Sequence, residues 1–342
     1  MSPVVRAYAG DAAIWDAFVK SQSGWTHFHL YGWRDVMTSV FRHDCPYLAA
    51  YDDRGALTGV LPLVRVKSRL FGHFLVSMPF LNYGGPLGDD ASVHALAEHA
   101  VGLAKRENVG LLELRSRAPL PLSLTASHRK ITVLLDLPAG GSAALLKGFD
   151  SKVRSQVRRA AKDGASTRFG LDQVEPFFDV FARHMRDLGT PTQPLALFRS
   201  IAARFPNDVW FGCTYWNEMP VAAGCGFRWG NEFEMTWASA LREHSKIAPN
   251  MALYWAFMER AADEGVGVFN FGRCSPDSGT HRFKRQWGSR DEPLSWYDFS
   301  PGGVAKTPSP DDAAFSWGPR IWRRLPESIA TALGPRIVRY IP

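Results

Sequence analysis

One order of elements is written twice in this chain of 342 residues. Residues 104–116, AKRENVGLLELRS, lie beside residues 261–273, AADEGVGVFNFGR, 157 positions further on. What precedes each run corresponds as well. In the first half, Tyr47 to Ser68 alternate apolar and small residues around an Asp53-Arg54-Gly55 turn, which reads as a hairpin. A strand near Leu75 to Leu81 follows, then a helix over Ser92 to Glu107 with Leu96, Ala97, Ala100, Val101 and Ala104 on one face, then a strand ending at Ser116. In the second half, Val209 to Trp216, Val221 to Trp229 and Phe233 to Ala238 read as a meander, followed by a helix over Asn250 to Glu264 and the strand VGVFNFG. A repeated pattern implies a repeated unit. Each unit is a mostly antiparallel meander completed by a helix and one more strand, so the expected class is α/β with mixed α+β sheets and helices on their faces. The expected units are 1–138 and 139–300, joined at Leu137-Pro138-Ala139-Gly140-Gly141, with a linker and an Arg/Trp-rich tail over 301–342.

The chain is 46% apolar, enough for two ordinary cores. No stretch reaches the roughly 18 apolar residues of a spanning helix, and the start has no basic, unbroken apolar leader, so a cytoplasmic protein is expected. Cys45, Cys213, Cys225 and Cys274 form no CxxC pair, which argues for buried thiols rather than a zinc site or a disulfide framework. A net charge of +7 favours anionic partners such as phosphorylated substrates, tRNA or lipid headgroups.

Two segments concentrate that charge. FDSKVRSQVRRAAKDG, Phe149 to Gly164, reads as a helix with Asp150 or Ser151 at its start. Phe149, Val153, Val157 and Ala160 face inward, while Lys152, Arg154, Arg158, Arg159 and Lys162 crowd the outer arc. Arg154 and Arg158, one turn apart, are expected to share a phosphate. The second segment is FNFGRCSPDSGTHRFKRQWG, Phe269 to Gly288, where an apolar strand runs into Gly272 and Arg273, a polar loop, then Phe283, Lys284 and Trp287. Ends of strands are where open α/β sheets place chemistry, so Arg273 and Lys284 are the first residues expected to touch substrate.

Together with ARHMRDLGTP at 182–191 and WASALREHSKIAPNMALYW at 237–255, these segments resemble the Fem-type (FemAB-like) transferases, most of all the branch associated with exosortase/PEP-CTERM systems and extracellular polysaccharide loci. The resemblance covers nearly the whole chain. It implies two tandem GNAT-like domains with the active site in the second, and transfer of an aminoacyl or acyl group onto an amine of a cell-envelope glycan, exopolysaccharide or peptidoglycan precursor. It further implies that Phe283-Lys284 match the Phe-Lys pair of that family, with Lys284 stabilising the oxyanion or leaving group and Phe283 positioning the donor. Arg273 would hold a phosphate or carboxylate. Trp237, Asn250, Tyr254 and Trp287, within the same matching segments, are expected to contact substrate.

The general base is less distinct. Asp187 and His184 in the RHMRDLGTP segment are candidates, and Glu234 is another. In the first unit, Asn82-Tyr83-Gly84-Gly85-Pro86 ends a strand in a glycine turn that could let backbone approach a ligand. His27 and His29 lack a third ligand nearby, so no metal is expected, nor any tightly bound cofactor. The expected donor is left open between aminoacyl-tRNA and an acyl-CoA. The glycine loop that cradles a CoA pyrophosphate is missing from the linker LREHSKIAPN, which disfavours acetyl-CoA. An acyl-CoA-dependent N-acyltransferase and a non-catalytic scaffold of a polysaccharide assembly complex are the alternative functions. In the tail, 316–342, Trp317, Ile321, Trp322, Leu325, Ile329 and Leu333 alternate with Arg320, Arg323, Arg324, Arg336 and Arg339. That composition suits either a peripheral membrane contact or a helix docked on the body.

Overall fold

The computed structural model describes residues 3–68, 71–303 and 318–341. It divides into two compact units, residues 1–130 with 293–309 and 339–342, and residues 131–292 with 310–338. The expected cut at 138/139 is displaced by an exchange of strands. Ile131–Asp136 lies inside the second unit's sheet, between Val268–Cys274 and Arg290–Pro293. Ser295–Phe299, expected in the second unit, instead pairs antiparallel with Leu111–Ser116 of the first. Sequence order cannot reveal such an exchange, because either strand satisfies either sheet locally.

In the first unit, Pro62 interrupts the second arm of the expected hairpin, leaving Leu57–Leu61 and Leu63–Ser68 as separate strands. Proline has no N–H to give to a ladder, and here the two pieces go to different sheets. Leu57–Leu61 joins a four-stranded sheet, and Leu63–Ser68 opens a five-stranded one. The expected strand to Leu81 ends earlier, at Ser77. Helix Asp90–Arg106 buries Leu96, Ala97, Ala100 and Ala104 against this unit's core, as its periodicity predicts. It links Gly72–Ser77 to Leu111–Ser116, which pair in parallel.

In the second unit, Val209–Trp216, Met219–Trp229 and Glu232–Ala240 form the expected meander within a seven-stranded mixed sheet. Helix Pro249–Asp263 lies on one face, where Phe257 and Met258 are fully buried with Phe233 and Phe269. Helix Val174–Leu188 buries Phe177, Phe178 and Phe181, and Phe177 and Phe181 both meet Phe198 of helix Leu195–Arg204. Helix Ser151–Lys162 buries Val153, Val157 and Ala160, again the expected face. Gly164, φ +87°, ends it in the left-handed conformation that glycine accepts without strain.

Candidate active site in the second unit

The parallel strands Glu232–Ala240 and Val268–Cys274 pair over only three residues: Glu232 with Val268, Phe233 with Phe269, and Glu234 with Asn270. Beyond that point they run on without pairing each other, so the sheet forks. Both arms are kinked at the fork. On one, Cys225 opposes Trp237 and Gly226 opposes Met235, which leaves Thr236 as an extra, bulged residue. On the other, Gly272 takes φ +73° and the ladder to Ile131–Asp136 slips between Asn270 and Arg273. A side chain at that φ would be strained, which explains the glycine.

The crotch of the fork is polar and buried. Glu234 and Asn270 have no exposed surface. Asn270 Nδ2 donates to Glu232 Oε1 at 2.7 Å and to Glu234 Oε2 at 3.1 Å, while its Oδ1 accepts from Thr132 Oγ1 at 2.6 Å and from the Gly272 N–H at 2.8 Å. Thr236 Oγ1 donates to the other Glu234 oxygen at 3.3 Å. The Glu234 carboxylate is thus fixed on both sides.

Lys284 enters from helix Gly279–Arg285, whose first turn is capped by Ser278 Oγ accepting the His281 N–H at 3.1 Å. Its ammonium donates to the Gly272 carbonyl at 2.7 Å and the Arg273 carbonyl at 3.1 Å, and only 3% of the residue is exposed. Burial pulls its pKa down to about 8, Arg273 adds to the fall, and Cys274 and Glu234 oppose it. The lysine expected to touch substrate therefore sits beneath the kinked strand and clamps its carbonyls.

Aromatic rings wall this cluster. Phe283 meets Tyr254 edge-on at 5.0 Å, Tyr254 stacks on Phe271 at 5.7 Å, and Phe283 lies 6.4 Å from Trp287. Trp287 packs edge-on to Phe149 at 5.3 Å, just ahead of the arginine-rich helix. It is 1% exposed, and among the described residues its Nε1 has no hydrogen-bond partner. Burial drives the Tyr254 phenol above its ordinary pKa. Lys284, Phe283, Arg273, Tyr254 and Trp287, chosen from sequence, are thus brought together.

The other candidates are not part of that cluster. Trp237 packs edge-on to Phe198 at 5.4 Å, on the side of helix Leu195–Arg204. Asn250 is half-buried in the first turn of helix Pro249–Asp263. Asp187 accepts from Arg186 Nε at 2.9 Å, at the carboxyl end of its helix. His184, one turn earlier, has its pKa lowered by burial and by Arg242. The clasp expected from Arg154 and Arg158 departs from the structure, since Arg154 Nη1 donates to the carbonyls of Lys147 and Phe149 while Arg158 is exposed. Asn82 and Tyr83 lie in the first unit, both buried. There Gly84 and Gly85 donate their N–H groups to the Arg115 carbonyl, so that turn is tied to its own sheet. His29 bonds Thr26 and the Gly85 carbonyl, and His27 Nδ1 accepts from Trp33 Nε1.

The first unit shows what a closed fork looks like. Gly72–Ser77 and Leu111–Ser116 also pair in parallel over three residues, the last pair being Val76 with Glu113. Glu113 aligns with Asn270 in the repeat, and Arg115 with Gly272. Arg115, 2% exposed, binds Glu113 at 2.7 Å and the Leu81 carbonyl at 3.1 Å. A buried ion pair fills this fork, whereas in the second unit a glycine stands at that position. Sequence reading passed over Asn270 and Thr132, although a polar residue inside VFNFG was visible as a break in an apolar strand.

Residues 149–285 match the family model described as an acetyltransferase (GNAT) domain. The comparison with curated proteins gave no match. Among solved structures, FemX is similar over 86% of this chain and 97% of its own, at 14% identity and a TM-score of 0.65. A tandem GNAT protein from the clavulanic acid biosynthesis pathway is similar over 89% and 100%, at 12% identity and a TM-score of 0.56. The C-terminal domain of a putative lysylphosphatidylglycerol synthetase from Agrobacterium fabrum is similar over 85% and 92%, at 11% identity and a TM-score of 0.56. In fold, the chain is a tandem GNAT-like α/β protein of the kind seen in FemX.

Proposed function

We propose that this chain is an acyltransferase whose reaction takes place at the fork of the second unit, moving an aminoacyl or acyl group onto an amine of a cell-envelope glycan precursor. The observation that carries this reading is the forked, doubly kinked strand pair with a fully buried, hydrogen-bonded Glu234 at its crotch. Acyl transfer to an amine needs a neutral nucleophile, a positioned carbonyl and a group to take the surplus proton. The amine nitrogen bonds to the donor carbonyl carbon, and the bond from that carbon to the leaving oxygen or sulfur breaks. Glu234 accepts the amine's proton, directly or through a water that enters with substrate, and that same proton is handed on to the leaving oxygen or sulfur as it departs. Lys284, its pKa pulled down to about 8 by burial, positions the kinked strand and supplies positive charge below the developing oxyanion. Phe283, partly exposed and backed by the buried rings of Tyr254 and Trp287, forms the wall against which the donor lies.

The donor's phosphates would be held by cations rather than by a glycine loop. In the linker after Ala240, Ala248 takes φ +51° and Pro249 opens the helix, so one backbone donor is missing. Arg159 reaches the linker through the Lys246 carbonyl at 3.2 Å, and Arg158, Lys162 and Lys246 are exposed. This favours aminoacyl-tRNA, whose backbone offers many phosphates to separate cations. An acyl-CoA donor is the second reading, favoured by the acetyltransferase-domain match.

The test is ligand-induced stabilisation of the purified protein and of Glu234→Gln, against aminoacyl-tRNA, acetyl-CoA and longer acyl-CoAs, followed by transfer of labelled acyl group to UDP-linked amino sugars and muropeptide precursors. Binding raises the melting temperature of the native state. The reading expects one donor to stabilise both proteins and only the wild type to transfer. Stabilisation without transfer to any amine would favour a non-catalytic scaffold.

A further inference from the structure

Helix Glu327–Val338 turns Ala330, Gly334 and Val338 inward, and it packs on helix Val174–Leu188. Gly334 approaches Thr192 so closely that an added Cβ would stand 2.8 Å from its backbone nitrogen. The helix is therefore closely docked on that face. The opposite face is unusual for a docked helix. Ile329 and Leu333, one turn apart, are 44% and 39% exposed, and Ile321 on the preceding helix Gly318–Trp322 is 53% exposed. Leu188 is also 38% exposed, and its carbonyl accepts from Arg323 Nη2 at 3.1 Å, which places it beside the same segment. Half of the large apolar side chains exposed among the described residues are thus gathered here.

Most of the charge on this segment is of one sign, with Glu327 lying near Asp179 of helix Val174–Leu188 as the exception. Arg320, Arg323, Arg324 and Arg336 are exposed, and Glu327 is the only acid between 318 and 338. An apolar stripe flanked by arginines matches an interface of hydrocarbon edge and anionic headgroup, with the guanidiniums at phosphate depth. A protein partner would be expected to bury a larger and less cationic face. No described helix is long and apolar enough to cross a membrane. We infer that the C-terminal segment 318–338 is a peripheral docking surface for an anionic lipid bilayer, using Ile321, Ile329 and Leu333 as apolar anchors and Arg320, Arg324 and Arg336 as headgroup contacts. This stands apart from the transfer reaction and survives if that reading fails.

The experiment is flotation of the full chain with vesicles of phosphatidylcholine alone and of phosphatidylcholine with about one third phosphatidylglycerol. The variants are Ile329→Ser/Leu333→Ser and Arg320→Ser/Arg324→Ser, all at exposed positions, with thermal melts to verify folding. Binding to the anionic vesicles is expected, with each arginine worth about fivefold in partitioning. The double arginine variant should therefore bind more than tenfold more weakly, and about 0.5 M salt should abolish wild-type binding by screening. Absence of binding to anionic vesicles, equal binding to neutral ones, or binding unchanged in both folded variants would overturn the inference.

Discussion

Replacing Lys284 by methionine tests whether its ammonium is buried beneath the kinked strand. The substitution keeps a flexible chain of similar length and removes the charge. Lysine ordinarily titrates near 10.5, and here burial pulls it to about 8. While protonated in both states, the group costs the folded protein roughly 3 kcal/mol relative to a lysine in water. The direction follows from linkage. Between about pH 8 and pH 10.5 the unfolded chain binds the proton and the folded one has lost it, so stability contributed by this group rises with pH through that window. Over the practical range from about pH 7 to about pH 9.5 the gain is roughly 2 kcal/mol. Urea unfolding of wild type and Lys284→Met at a series of pH values isolates it, because all other titrating groups are common to both proteins. The wild type should gain about 2 kcal/mol on the variant across that range. Parallel curves, or a wild type that loses ground as pH rises, would show that the ammonium is not buried as the geometry has it.

In Glu234→Gln the contacts to Asn270 and Thr236 can be kept while the base is lost, so once the donor is known, turnover should fall by about 10² or more with melting temperature little changed. A loss under tenfold would remove Glu234 from the reaction. Trp287→Ala should cost about 3–5 kcal/mol in urea unfolding, since a fully buried ring is deleted against Phe149. Trp287→Phe should cost far less, because the indole N–H it removes has no partner among the described residues; equal losses would mean the N–H is bonded. His29 is held near pKa 4 by burial, so the unfolded chain takes its proton first as pH falls below 6.5. Stability should drop between about pH 6.5 and pH 4, and His29→Gln should remove roughly 3 kcal/mol of that drop, which acid titration of both proteins by circular dichroism would read.

Much of the fold is legible in residues close together. The buried faces of Asp90–Arg106 and Ser151–Lys162 follow from 3.6-residue periodicity, and the meander and the paired helix-strand units follow from the turn residues between them. Part of the site is legible for the same reason. Phe283, Lys284 and Trp287 lie within five residues on one short helix and its exit, beginning ten residues after Arg273. The two helical arginines Arg154 and Arg158 were legible as charge but not as partners. What Arg154 touches depends on carbonyls at the end of the preceding helix, and only their position decides that.

Local sequence therefore determined which segments are helix or strand, that the unit is repeated, and which short segment carries the aromatic and basic residues. Tertiary structure decided which strand completes which sheet, since Ile131–Asp136 and Ser295–Phe299 have the apolar pattern that either sheet would accept. It also decided that Lys284 lies buried against the Gly272 carbonyl, and that Thr132, Glu234 and Asn270, up to 138 residues apart, share one hydrogen-bond network. The physical reason is common to both. Propensity, capping and periodicity act within a few residues, whereas strand pairing and the burial of a charge depend on free energies that exist only once distant segments have met.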